Sequence, residues 1–239
     1  MENINSNELK DYNEIYKKIL KDNGDVTEDE IKYMNTLTSV IKLKSTLMLD
    51  KIVRLYSRDF PEESLNWVDV SGIKNMSYLF FKSRYNGDIS KWDVSGVTNM
   101  QFMFWKSEFN GDISQWNVMH VTNMESMFCK SEFNQDISKW DVSNVTNMNY
   151  MFFESMFDHD ISDWDVSKVK EMGWMFEKSH FSQDISRWDV SGVIYMQCMF
   201  YDSCFNQDIS GWDVKNVILH NDIFKLCDIK DEYKPEKFR

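Results

Sequence analysis

Aspartate is the residue type whose spacing in this chain could do chemistry. It follows tryptophan at Asp93, Asp141, Asp165, Asp189 and Asp213, stands at the matching Asp69, and gives way to Asn117 once. A second row, Asp88, Asp112, Asp136, Asp160, Asp184 and Asp208, keeps the same 24-residue interval. Stacked carboxylates could ligate calcium, imitate a nucleic-acid backbone, or fasten turns by accepting backbone N–H groups. The Gly-Gly-x-Gly-x-Asp pattern of calcium-binding β-helix repeats is absent. Basic residues stand two positions before the aspartate in Lys91/Asp93, Lys139/Asp141 and Arg187/Asp189, and where Gln115 is neutral so is Asn117. The doubly acidic Asp163/Asp165 falls between the copies that carry Lys139 and Arg187, so charge is expected to balance locally. The copy lacking the aspartate also has Met119 where Ser71, Ser95, Ser143, Ser167 and Ser191 otherwise stand. That joint loss points to an aspartate bonded to the residue two positions on.

Other reactive side chains offer less. His120, His159, His180 and His220 occupy unrelated places in the repeat, so no copy gives a histidine a fixed nucleophile or carboxylate partner. Cys129, Cys198, Cys204 and Cys227 contain no CxxC pair, and neither a disulfide framework nor a zinc site is expected. Glycine-rich phosphate loops are missing too, so neither an enzyme nor a cofactor is implied. The net charge of -12 opposes direct nucleic-acid binding and would attract a basic protein partner.

These residues are positioned by a repeat. Valines at 70, 94, 118, 142, 166, 190 and 214 set a period of 24 residues with no insertion, hence seven coils. Isoleucines at 89 through 209, tryptophans at 92 through 212 (Val68 in the first coil), methionines at 76 through 196 and phenylalanines at 80 through 224 keep that register. Within a coil, Trp140 and Val142 alternate as a half-buried strand does, whereas Val145, Met148, Met151, Phe152 and Ser155 recur as one face of a helix. The expected fold is an α/β repeat solenoid: a parallel β-sheet on one face, with strands about 4.8 Å apart, and short helices on the other. Residues 1–60 read as a helical N-terminal cap. It would comprise a helix starting at Ser6 or Asn7, a second behind a Thr27/Glu30 capping box, and a third amphipathic stretch from Ser45 to Arg58. The solenoid then occupies 61–227 and a charged tail 228–239.

The phrases "FNQDISKWDVSNVTNMNYMF" and "LNWVDVSGIKNMSYLF" resemble the BspA-type leucine-rich repeat family, in particular the subgroup found in mycoplasma and other bacterial surface proteins. The resemblance covers residues 65 to about 224. It implies a leucine-rich-repeat-like solenoid with a strand-lined concave side and a role in protein binding or adhesion, with no reaction. The first residues, "MENINSNELKDYNEIYKKIL", lack a secretion or lipoprotein signal, and no apolar run is long enough to span a membrane. A cytoplasmic location and an intracellular partner are therefore expected, with surface adhesion left for a chain whose signal has been removed.

If fixed columns build the scaffold, recognition belongs to columns that vary. One holds Tyr78, Phe102, Ser126, Tyr150, Trp174 and Cys198; another, three residues on, holds Phe81, Trp105, Cys129, Phe153, Glu177 and Tyr201. Grouped exposed aromatics of this kind mark partner surfaces, although they could equally form an outer seam or lie under the N-terminal helices. The rival contact surface is the strand face, with Lys91, Gln115, Lys139, Asp163, Arg187 and Gly211. The expected function is non-enzymatic protein binding. An acidic inhibitor of anti-defence type, filling the basic groove of a nucleic-acid enzyme, is the alternative, and adhesion through calcium or carbohydrate is a third.

Overall fold

The computed structural model describes Thr27, Asp29, Ile41, Lys42 and residues 46–239. The two helices expected before residue 40 fall outside that set. The third amphipathic stretch is helix α1 (Thr46–Asp59), which buries Leu49, Ile52, Val53, Leu55 and Tyr56 along one face. It stops before Pro61, whose ring disfavours helical backbone in the residue ahead of it. Strand β1 (Ile41–Lys42) pairs in parallel with β2 (Val68–Asp69) in the first coil.

From there the chain stacks coil on coil, and the fixed columns form its core. Phe80, Phe104, Phe128, Phe152, Phe176, Phe200 and Phe224 stack in one file with ring centroids 5.2–5.8 Å apart. A second file runs Phe109, Phe133, Phe157, Phe181 and Phe205, and the methionine, valine and isoleucine columns fill the space between. Each buried indole Nε1–H donates to a carbonyl 27 residues earlier, from Trp92 on Leu65 to Trp212 on Ile185, at 2.9–3.2 Å. In the first coil, where Val68 holds the tryptophan column, the neighbouring Trp67 donates to the Tyr56 hydroxyl of α1.

The backbone of each coil differs from its expected strand and helix. The stretch from Met148 to Ser155 is a run of turns closed three residues apart: Met151 N–H to Met148 O, Phe153 to Tyr150, and Ser155 to Phe152. Two residues per coil, such as Tyr150 (φ 58°) and Glu154 (φ 48°), adopt left-handed backbone that no α-helix tolerates. Packing explains the change. Helices need about 8–10 Å between axes, and coils whose rings stack under 6 Å apart leave no such room. Turns closing at three residues reproduce the inward spacing of a helix in a thinner layer.

Apart from the β1–β2 pair at Val68–Asp69, the parallel pairing lies at the start of this segment rather than in the Trp-Asp-Val segment. Parallel bridges join Asn75 to Asn99, Asn99 to Asn123, and so on to Tyr195 with Leu219. Between Trp-Asp-Val segments of neighbouring coils the indole bonds take the place of a backbone ladder.

The last residues are packed, which a charged tail did not suggest. Ile229 is buried, Ile209 N–H donates to Tyr233 O, and short 3-10 turns at Asp231–Tyr233 and Glu236–Phe238 follow. Phe238 lies against Phe224, and the Lys237 ammonium donates to the carbonyls of Val214, Lys215 and Val217. The segment closes the apolar end of the stack.

Candidate functional site

Up to four side-chain-fastened turns shape a coil, and both aspartate rows belong to them. Asp69, Asp93, Asp141, Asp165, Asp189 and Asp213 each accept, through Oδ1, the backbone N–H two residues on at 2.9–3.3 Å. The row from Asp88 to Asp208 does the same at 2.8–3.0 Å. Asn75, Asn99, Asn123 and Asn147 repeat the device, as do Ser83, Ser107, Ser131, Ser155 and Ser179. Asn117 still accepts Met119 N–H, at 3.2 Å, so the backbone half of the bond survives the neutral substitution. What Met119 removes is the hydroxyl. The side chains of Ser143, Ser167 and Ser191, with their N–H groups, hold Asp141, Asp165 and Asp189 below the usual carboxylate range.

Charge balance is partly as expected. Arg187 pairs with Asp163 of the preceding coil at 2.9 Å, both well exposed, while Lys91 and Lys139 form no ion pair among the described residues. The face carrying Lys91, Gln115, Lys139, Asp163, Arg187 and Gly211 is exposed throughout. Shallow hollows lie along it, one of about 210 Å³ lined by Asp112, Gln115, Asp136 and Lys139. Among the described residues no three histidine, cysteine or acidic side chains converge as metal ligands would. His120 and His159 bond to the carbonyls of Ser95 and Asn134, and the four cysteines are free and separate.

The aromatic columns fall on the face that carries the parallel bridges. Tyr78 stacks on Phe102 with centroids 4.9 Å apart, and Phe81 on Trp105 at 4.6 Å. Tyr78 also meets Phe81 at 5.7 Å, so the four rings form one cluster. Lys82 and Lys106 place their ammonium groups over it, 5.3 and 4.8 Å from the Trp105 ring. Tyr150, Phe153 and Trp174 form a second cluster, with Tyr150 on Trp174 at 4.6 Å. Tyr201 joins neither and meets Lys225 instead. Ser126 and Cys129 separate the clusters, both buried, and burial pushes the Cys129 thiol up to about 12. Tyr78 is 50% exposed and Phe81 37%; the other six aromatics are half-buried.

The aromatic column from Tyr78 to Trp174 occupies left-handed backbone, φ 55–63°, with no glycine among its members. Each such residue costs about 1–2 kcal/mol, and a stacked aromatic pair returns about 0.5–1.5 kcal/mol. Stacking thus offsets backbone strain and leaves ring edges outward. Beside the first cluster a groove of about 510 Å³ separates it from α1, lined by Arg54, Arg58, Tyr78, Phe81, Lys82 and Arg84.

A polar ladder next to the rings was not singled out from the sequence. Glu125 accepts from Gln101 at 2.7 Å and from Asn147 at 3.3 Å, and Glu171 accepts from Asn149 at 2.6 Å. Burial raises the Glu125 pKa against those bonds, with Glu171 adding repulsion. Its signal was present in the variable column Ser77, Gln101, Glu125, Asn149, one residue before the aromatic one.

A 24-residue unit copied along the chain and stacked on itself through a common core defines a repeat protein. The chain belongs to the family described as "Mycoplasma protein of unknown function, DUF285", whose model matches residues 48–155 and again 129–234. No curated protein and no solved structure matches. Among the described residues no helix is long and apolar enough to cross a membrane.

Proposed function

We propose that this chain is a BspA-type, leucine-rich-repeat-like solenoid that binds a partner protein without catalysing a reaction. The reading rests on the aromatic side chains at left-handed positions. Glycine or asparagine would fit that backbone at lower cost, yet the column carries Tyr78, Phe102, Tyr150 and Trp174 with edges outward and lysines around the first cluster. Aromatic residues ringed by polar groups supply the anchor contacts of protein interfaces.

The test changes Tyr78, Phe81, Phe102 and Trp105 together to alanine, with folding checked by circular dichroism, and measures capture of partners from the native cell. Loss of a partner that the parent chain retains supports the reading. Capture that persists, but fails once Lys139, Asp163 and Arg187 are changed, moves the contact to the opposite columns. The exposed aspartate rows support a second reading, the acidic inhibitor of a nucleic-acid enzyme. Capture that collapses in moderate salt and is competed by nucleic acid would favour it.

A further inference from the structure

Two Asn-Gly pairs share one sequence context, Asn86-Gly87-Asp88-Ile89-Ser90 and Asn110-Gly111-Asp112-Ile113-Ser114. An asparagine followed by glycine can close on itself, because no side chain shields the glycine nitrogen from the asparagine amide carbon. Both asparagines belong to a ladder in which each side-chain Oδ1 accepts a backbone N–H of the next coil. Asn86 accepts from Asn110 at 2.7 Å, Asn110 from Asn134 at 2.8 Å, and Asn134 from Asp158 at 3.1 Å. The N–H groups of Gly87 and Gly111 meet no acceptor among the described residues, so both are open to deprotonation by solvent.

The neighbouring coils make the two pairs different. Asn110 Oδ1 accepts from a second donor, Gln135 Nε2, at 3.1 Å. Asn86 has no such donor, since the residue one coil on from Gly87 is Gly111 and carries no side chain. Room differs as well. Gly87 is buried so closely against the Glu63 carbonyl that a side chain there would strike it, whereas Gly111 is half-buried and meets chiefly the ring edge of Phe109. Two donors on one carbonyl oxygen are the arrangement that stabilises negative charge developing there.

We propose that Asn110 is a site of self-modification, at which the folded chain turns a side-chain amide into a carboxylate. The Gly111 nitrogen, its proton lost to solvent base, would bond to the Asn110 side-chain amide carbon, and the displaced electron pair would rest on Oδ1 between Asn134 N–H and Gln135 Nε2. Return of that pair breaks the bond to Nδ2, which takes a proton from water and leaves as ammonia. Water then opens the cyclic imide to an aspartyl or an isoaspartyl chain. The aspartyl product has its equivalent two coils on: Asp158, in the same column, accepts through Oδ1 from Ser182 N–H at 2.8 Å and from Gln183 Nε2 at 3.1 Å. That form keeps the ladder and adds a negative charge next to Gln135, which lines a hollow with Asp112 and Asp136. The isoaspartyl form adds a backbone carbon just before the turn that Asp112 fastens to Ser114 N–H.

Ageing the full chain in mildly alkaline buffer, with peptide mapping by mass spectrometry, tests this. In the folded protein Asn110 converts about fivefold or more faster than Asn86, and faster than it does in guanidinium chloride. In guanidinium chloride the two pairs, which share their flanking residues, convert at one rate. Gln135→Leu, with folding checked by circular dichroism, slows Asn110 by about threefold or more and leaves Asn86 unchanged. The comparison of Asn110 with Asn86 in the parent chain decides the matter even if that variant does not fold. The proposal is overturned if the folded rates are equal or reversed, if the preference for Asn110 survives unfolding, if Asn110 converts more slowly folded than unfolded, or if a folded Gln135→Leu chain converts as the parent does.

Discussion

Two sides of each coil hold the stack together by different means. On the Trp-Asp-Val side, side chains do the joining: an indole N–H crosses to the previous coil, and aspartate Oδ1 closes the turn that follows. On the aromatic side, backbone N–H groups do it, at each interface four donating toward the next coil and one toward the preceding coil. Any residue except proline supplies a backbone N–H, so the second side can vary from Tyr78 to Ser126 to Trp174 while the first keeps its letters. Constancy here marks fastening, and variation marks the surface that fastening leaves free.

The largest test of that contrast is Trp140→Ala against Phe102→Ala. Losing a buried indole and its bond to Ile113 O should cost about 3–5 kcal/mol in urea unfolding. Losing a half-buried ring whose coil keeps its four backbone bonds should cost about 1 kcal/mol or less. Equal costs would mean that the aromatic file is structural.

A smaller effect separates carboxylate from acceptor geometry. Asp141→Ala leaves Ser143 N–H without its turn partner and should cost about 1 kcal/mol, whereas Asp141→Asn, which copies Asn117, should cost less than half as much. Thermal melts of the two variants decide it.

The aspartates also set an acid limit. Asp136, Asp141, Asp160, Asp165 and Asp189 all have folded pKa values lowered by their turn bonds. A lowered folded pKa gives stability that is full above the unfolded value, about 4, and is lost as pH falls through the folded one. Melting temperature should therefore hold steady down to about pH 5 and drop below about pH 4. Asp141→Asn should flatten part of that drop.

Smallest, and opposite in sign, is Glu125→Gln on the variable side. The Glu125 pKa is raised, so its ionised form weakens the fold at neutral pH, and stability rises as pH falls toward its unfolded value. The substitution should raise the melting temperature slightly at pH 7 and lose that advantage below about pH 4. An unchanged or lower melting temperature at pH 7 would show that the Gln101 and Asn147 bonds need the charge.

Much of the scaffold was legible because core columns must recur when coils stack. Val142, Met148 and Phe152 could be placed inside from their period alone, and all three are buried. The local backbone was not legible. A run of turns closed three residues apart and a helix share their inward spacing, and the usual flag for left-handed backbone is glycine, which this chain does not use there. Its left-handed residues are Tyr78, Lys82, Phe102, Lys106 and their equivalents. The aromatic clusters were foreseen as neighbours, but the gap at Ser126 and Cys129 and the packing of the final segment through Lys237 and Phe238 depend on contacts between coils.

By itself the sequence determined the period, the number of coils, and which side chains turn inward, since each follows from hydrophobic residues recurring at a fixed interval. Only the tertiary structure decided which half of each coil carries the backbone pairing and which way its N–H groups point. Every residue but proline bears the same N–H and C=O, so their direction leaves no trace in residue type and is settled when one coil is laid upon the next.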